Sequence, residues 1–78
     1  MRILVVEDDR KVASFLERGL REDGYSVDVA HDGDDGAFKA HVTDYDLLVL
    51  DIMLPEKTGL ELARELRREG RAVPILLL

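Results

Sequence analysis

Residues 45–59 read Tyr45-Asp-Leu-Leu-Val-Leu-Asp51-Ile-Met-Leu-Pro55-Glu-Lys-Thr-Gly59, and this stretch decides the fold. Leu47 to Leu50 are apolar at four successive positions, the pattern of a parallel strand covered on both faces. The run ends on a single carboxylate, Asp51. Pro55 then takes the chain out of the sheet, because it has no N–H for a ladder, and Gly59 follows in the next turn. In open α/β folds the ligand crevice lies just beyond the carboxyl ends of the strands. Towards the amino terminus, a first apolar run, Ile3 to Val6, ends in Glu7-Asp8-Asp9. If the two strands are parallel neighbours, three or four acidic groups converge on one point.

The rest of the chain supplies the alternation that such a sheet needs. Strand one spans about 2–6. Asp9 can cap a helix over 10–22, with Val12, Phe15, Leu16 and Leu20 on one inward face and Gly24 just past its end. Strand two, near 25–30, alternates Tyr25, Val27 and Val29 with Ser26, Asp28 and Ala30, the pattern of an edge strand with one wetter face. Asp32-Gly33-Asp34 makes a capped turn into a weaker helix over 35–42. Strand three covers 46–51. Thr58 can cap a third helix over 59–69, with Leu62, Ala63 and Leu66 inward and Gly70 ending it. Strand four is expected over 73–78. A β-α-β-α-β-α-β order with short loops implies parallel strands joined by crossovers, with helices on both faces.

The chain has 78 residues, 46% of them hydrophobic, and a net charge of −6, which fits one small globular domain. It contains no cysteine, so disulfides and thiolate metal sites are excluded and a reducing, cytoplasmic compartment is the simplest expectation. No apolar run approaches a membrane span. Met1-Arg2-Ile3-Leu4 leads straight into a strand, so no signal peptide is expected. The negative charge argues against this segment contacting nucleic acid. Its one basic cluster, Arg64, Arg67, Arg68 and Arg71, is interleaved with Glu61, Glu65 and Glu69 and is expected to form i,i+4 pairs on a solvated face. His31 and His41 lack metal-spaced partners and are read as surface or packing residues.

Each carboxylate alone has a plain structural role: Asp51 as a turn residue, Asp8 and Asp9 as cap and dipole partners. Together they are harder to set aside. Like charges gathered at one end of parallel strands cost several kcal/mol, on the order of the Coulomb energy at short range, unless a proton or cation neutralises them. Oxygen-only donors with an open face favour a hard cation, Mg²⁺ first. Mg²⁺ beside an exposed carboxylate suits phosphoryl transfer to that carboxylate. A dinucleotide site would need a glycine-rich turn where Glu7-Asp8-Asp9-Arg10 stands. A haloacid-dehalogenase phosphatase would need a second Asp where Met53 stands.

Ile-Leu-Val-Val-Glu-Asp-Asp at 3–9, Asp-Leu-Leu-Val-Leu-Asp-Ile-Met-Leu-Pro at 46–55, Gly59, and the Val-Pro-Ile of strand four resemble the receiver domain of bacterial two-component response regulators. The Leu-Pro loop after Asp51 most resembles the OmpR/PhoB-type transcriptional subfamily. The resemblance implies a CheY-like, flavodoxin-like three-layer fold with strand order 2-1-3-4. It implies that Asp51 accepts the phosphoryl group from a sensor histidine kinase. Asp8 would bind Mg²⁺ directly, Glu7 through water, and the backbone carbonyl of Met53 would complete the ligand set, with Asp51 beside the ion. Asp9 is then the helix cap. The chain is expected to be a phosphoacceptor and not an enzyme, and to control an attached DNA-binding regulator.

Receivers of this family have five strands, with a switch Ser/Thr after the fourth and a Lys ending the fifth. Residues 1–78 are therefore expected to be the N-terminal part of a receiver, truncated before the fifth strand and with no second domain. Weak Mg²⁺ binding and poor phosphorylation follow, and a fragment that only folds or self-assembles is the alternative. An open apolar strand at 73–78 is expected to drive a homodimer or a higher assembly.

Overall fold

A computed structural model describes residues 1–78 as β1 (Arg2–Val6), α1 (Arg10–Glu22), β2 (Ser26–Ala30), α2 (Gly33–Val42), β3 (Leu47–Leu50), α3 (Gly59–Arg68) and β4 (Ile75–Leu77). The four strands form one parallel sheet in the order β2-β1-β3-β4, as the resemblance implies. The register places Val6 beside both Ala30 and Leu50, so β1, β2 and β3 finish at one level. That shared edge is what brings the residues after Val6 and Leu50 together.

Period-two alternation sends side chains to two cores. Leu4, Val6, Ala30, Leu48 and Leu50 pack under α2 and α3 with Ala37, Ala40, Leu62 and Leu66. Ile3, Val5, Val27 and Val49 face α1, where Leu16 and Leu20 lie over them. Leu4, Leu48, Leu50, Leu62 and Leu66 are essentially fully buried, and each contributes about 1.5–3 kcal/mol.

The caps read from the sequence are in place. Asp9 Oδ1 accepts from the amides of Lys11 and Val12 at 2.9 and 3.2 Å, and Thr58 Oγ1 accepts from Glu61 at 3.1 Å. Gly24 and Gly70 end α1 and α3 with positive φ.

Five expectations need correction. Val12 and Phe15 are not inward, being 42% and 72% exposed; the small Ala13 takes the close approach instead. The apolar stripe of α1 is wider than the β1–β2 half of the sheet that the helix covers, so two of its members lie on the flank. The second helix begins at Gly33 and not at 35, because Asp32 Oδ1 caps it from the Asp35 amide at 2.7 Å.

The fourth strand is Ile75–Leu77, shorter than 73–78, and the third is Leu47–Leu50, shorter than 46–51. Proline 74 can offer only its carbonyl, which accepts from the Leu48 amide at 2.9 Å; the Asp46 amide donates to the Arg2 carbonyl at 2.8 Å while its side chain accepts from the Arg2 amide at 2.7 Å. The expected i,i+4 pairs along α3 do not form. Glu65 pairs with Lys57, Glu69 meets His41 at 3.3 Å, and Arg71 reaches Asp44. Arg64, Arg67 and Arg68 instead rim an open groove of about 430 Å³ floored by Ala63, Ile75 and Leu77. No helix is long and apolar enough to cross a membrane.

Candidate functional site

Glu7 follows directly from β1. Its amide donates to the Ala30 carbonyl at 3.0 Å, which extends the β1–β2 ladder by one residue and holds Glu7 in the sheet. The side chain is consequently buried, at 7% exposure. Asp8, next in the chain, is exposed. Asp51 follows β3 in the same way: its amide donates to the Val6 carbonyl at 3.0 Å, and its side chain is half-buried. One carboxylate oxygen from each of Glu7, Asp8 and Asp51 lies within 4.8 Å of the others.

Burial and the neighbouring carboxylates both act on Glu7. Burial, and then its hydrogen bond with Asp51, push its carboxyl up to about 7. The Asp9 amide, 3.2 Å from Glu7 Oε1, works in the opposite direction by favouring the charged form. Without a cation the cluster therefore holds a proton close to neutral pH.

Asp51 is steered by the loop that follows it. The Met53 amide donates to Asp51 Oδ1 at 2.9 Å, leaving the other carboxylate oxygen free of that bond. This amide is the contact that Met53 makes with the cluster; the residue itself is largely exposed. Gly59 closes the loop. Its amide donates to the Ile52 carbonyl at 3.2 Å, and a Cβ at this position would collide with the Asp51 carbonyl. Only glycine lets α3 start so close to the end of β3.

Of the residues singled out by sequence, Glu7, Asp8 and Asp51 converge, Met53 touches Asp51 through its N–H, and Asp9 points to the α1 amides. Sequence reading missed two neighbours. His31 Nδ1 lies 3.0 Å from the Glu7 carbonyl, at the edge of the site. Lys57 pairs with Glu65 at 2.9 Å across the loop. Neither has a spacing signature; both contacts depend on which elements the sheet order makes neighbours.

A parallel α/β sheet with three carboxylates at the carboxyl end of its central strands defines an acidic-pocket protein of the CheY-like class. The response regulator receiver domain family matches residues 3–78, and the chain belongs to that family. It is 46% identical, over all 78 residues, to the transcriptional regulatory protein CusR of Escherichia coli, an OmpR/PhoB-type regulator. The chain spans 34% of that relative's length. Among solved structures it is similar to the response regulator TrrA of Thermotoga maritima in complex with Mg²⁺-BeF (TM-score 0.93, 39% identity, covering 97% of this chain and 66% of that one). It is similar also to the structure of the histidine kinase ThkA in complex with TrrA (TM-score 0.90, 39% identity, the same coverage).

Proposed function

We propose that this receiver accepts a phosphoryl group on Asp51, with Mg²⁺ held by Glu7, Asp8 and Asp51. The observation that carries the reading is the convergence of these three carboxylates within 4.8 Å. Their fit to Mg²⁺ rests on donor chemistry: hard oxygens only, one exposed side for retained water, and a Glu7 carboxyl that burial first, and its hydrogen bond with Asp51 second, already push upward. Asp8, exposed, is the direct ligand; Glu7, buried behind it, acts through water; the Met53 carbonyl completes the set. Bound there, Mg²⁺ would neutralise charge on the transferring phosphoryl oxygens.

The chain's own residues do the positioning. The Met53 N–H fixes Asp51 Oδ1, so the second oxygen faces the donor. That oxygen forms a bond to phosphorus as the bond from phosphorus to a histidine nitrogen of the kinase breaks, and the electron pair leaves with the imidazole. The acceptor needs no deprotonation, because Asp51 attacks as a carboxylate.

The solved pairing of TrrA with its kinase supports a sensor histidine kinase as donor for this chain too. CusR supports a role as the cytoplasmic receiver part of a transcriptional regulator whose DNA contacts are made elsewhere, since this segment carries a net charge of −6. On this reading the chain is a phosphoacceptor and not a catalyst of a separate reaction. A second reading, assembly without phosphotransfer, is favoured by β4, which pairs only with β3 and leaves its other edge and the half-exposed Leu76 open to a second copy.

Intact mass after incubation with Mg²⁺ and acetyl phosphate tests the two. The proposal expects a slow phosphoryl adduct that disappears in Asp51→Asn. An adduct that persists in the variant would show that Asp51 is not the acceptor, and no adduct at all would favour the assembly reading.

A further inference from the structure

The loop between β3 and α3 carries a lysine that meets carboxylates on two different helices. Lys57 Nζ lies 2.9 Å from Glu65 Oε2 on α3 and 3.8 Å from Asp34 Oδ1 on α2, with the lysine side chain about three-quarters covered. Its backbone rests against the first turn of α2. A Cβ on Gly33 would stand 2.5 Å from the Lys57 carbonyl and 2.7 Å from its Cβ, so glycine is what allows this approach. Immediately before it, the Lys57 amide donates back to the Pro55 carbonyl at 2.7 Å around Glu56, whose φ is +66°. A left-handed glutamate inside a three-residue turn is strained by about 1–3 kcal/mol and persists only where its surroundings hold it.

The loop is thus pinned at two places. At its base, Gly59 seats it on Asp51 and Ile52. At its tip, Lys57 ties it to two different helices. Met53, which fixes Asp51 Oδ1, lies between the two pins.

We infer that Lys57, bridged to Glu65 and Asp34, is a positioning residue that holds the Ile52–Thr58 loop so that Met53 and Asp51 keep the geometry of the metal and acceptor site. This rests on the reading of that site given above. The lysine stays charged, since its hydrogen bond to Glu65 raises its pKa. It acts through the loop and does not touch the carboxylates.

Positioning and simple electrostatics make opposite forecasts for one substitution. Lys57→Met keeps the aliphatic stem and removes a positive charge from the neighbourhood of an acidic site. Charge alone would then tighten cation binding. Loss of positioning would weaken it.

The experiment is an amide NMR titration of the full chain with MgCl₂, for the parent, Lys57→Met, Lys57→Arg, Glu65→Gln and Asp8→Asn. The inference expects Lys57→Met and Glu65→Gln to raise the Mg²⁺ dissociation constant several-fold, towards about 10-fold as for outer-shell partners of a metal site. Lys57→Arg, which keeps the bridge, should restore parental affinity. Unchanged or tighter binding in Lys57→Met, with Asp8→Asn still weakening it, would overturn the positioning role and leave the site reading intact. Parental affinity in Asp8→Asn, or no saturable binding in the parent, would overturn the site reading and this inference with it. Equal thermal melting of Lys57→Met and Lys57→Arg separates a site effect from a loss of fold.

Discussion

Glu7 carries the clearest electrostatic consequence of the site. It is anchored to Ala30 by its own amide, so it cannot leave the sheet to find water, and its carboxyl is raised from 4.5 to about 7. Between those values the folded chain holds a proton that the unfolded chain has released. Stability must then fall as pH rises through this window, because the folded state binds more protons than the unfolded one. Without Mg²⁺, the melting temperature should decline between pH 5 and about 7; added Mg²⁺ should flatten that decline, and Glu7→Gln should abolish it. Asp51, Asp8 and the capping role of Asp9 were legible from sequence because each ends or follows an apolar run. The burial of Glu7 was not, since it depends on the strand that happens to lie beside it. His31 at the Glu7 carbonyl was hidden for the same reason.

At the scale of elements, glycines separate what local propensity favours from what packing forbids. Gly19 lies inside α1 with open space around its missing Cβ, whereas a Cβ on Gly59 would strike the Asp51 backbone. Gly19→Ala should therefore stabilise the chain by about 0.5–1 kcal/mol through helix propensity. The same change at Gly59 should destabilise it by about 1–3 kcal/mol, because a backbone carbonyl cannot step aside as a side chain can. Denaturant midpoints of the two variants, moving in opposite directions, would check this.

Helix and strand identities were all readable from periodicity and caps, but boundaries moved where pairing or packing intervened. The second helix gained two residues from the Asp32 cap, and Pro74 shortened the fourth strand. Val12 and Phe15 show the limit of the periodic argument. A stripe at helical spacing says which residues share a face, not how wide a surface the sheet offers beneath them.

For the whole molecule, the sheet order matters more than any single contact. It came from resemblance and not from periodicity, and it places β1 and β3 side by side so that two separate acidic runs meet. The same order puts β4 at an edge. There, α1 covers β1 and β2 but not the far half of its face, and Leu76 stays 51% exposed. An exposed apolar edge strand is a template for another chain. Light scattering over a concentration series should show self-association, and Leu76→Lys should return the chain to monomer; a parent that stays monomeric at high concentration would remove the assembly reading.

The claim on which the rest depends is that Glu7, Asp8 and Asp51 form one divalent-cation site at the carboxyl ends of β1 and β3. Amide NMR of the chain titrated with Mg²⁺ tests it most directly. Saturable shifts centred on residues 7–9 and 51–53 are expected, lost together in Asp8→Asn and in Asp51→Asn. Shifts that scatter over the acidic surface, or that survive either substitution, would contradict it.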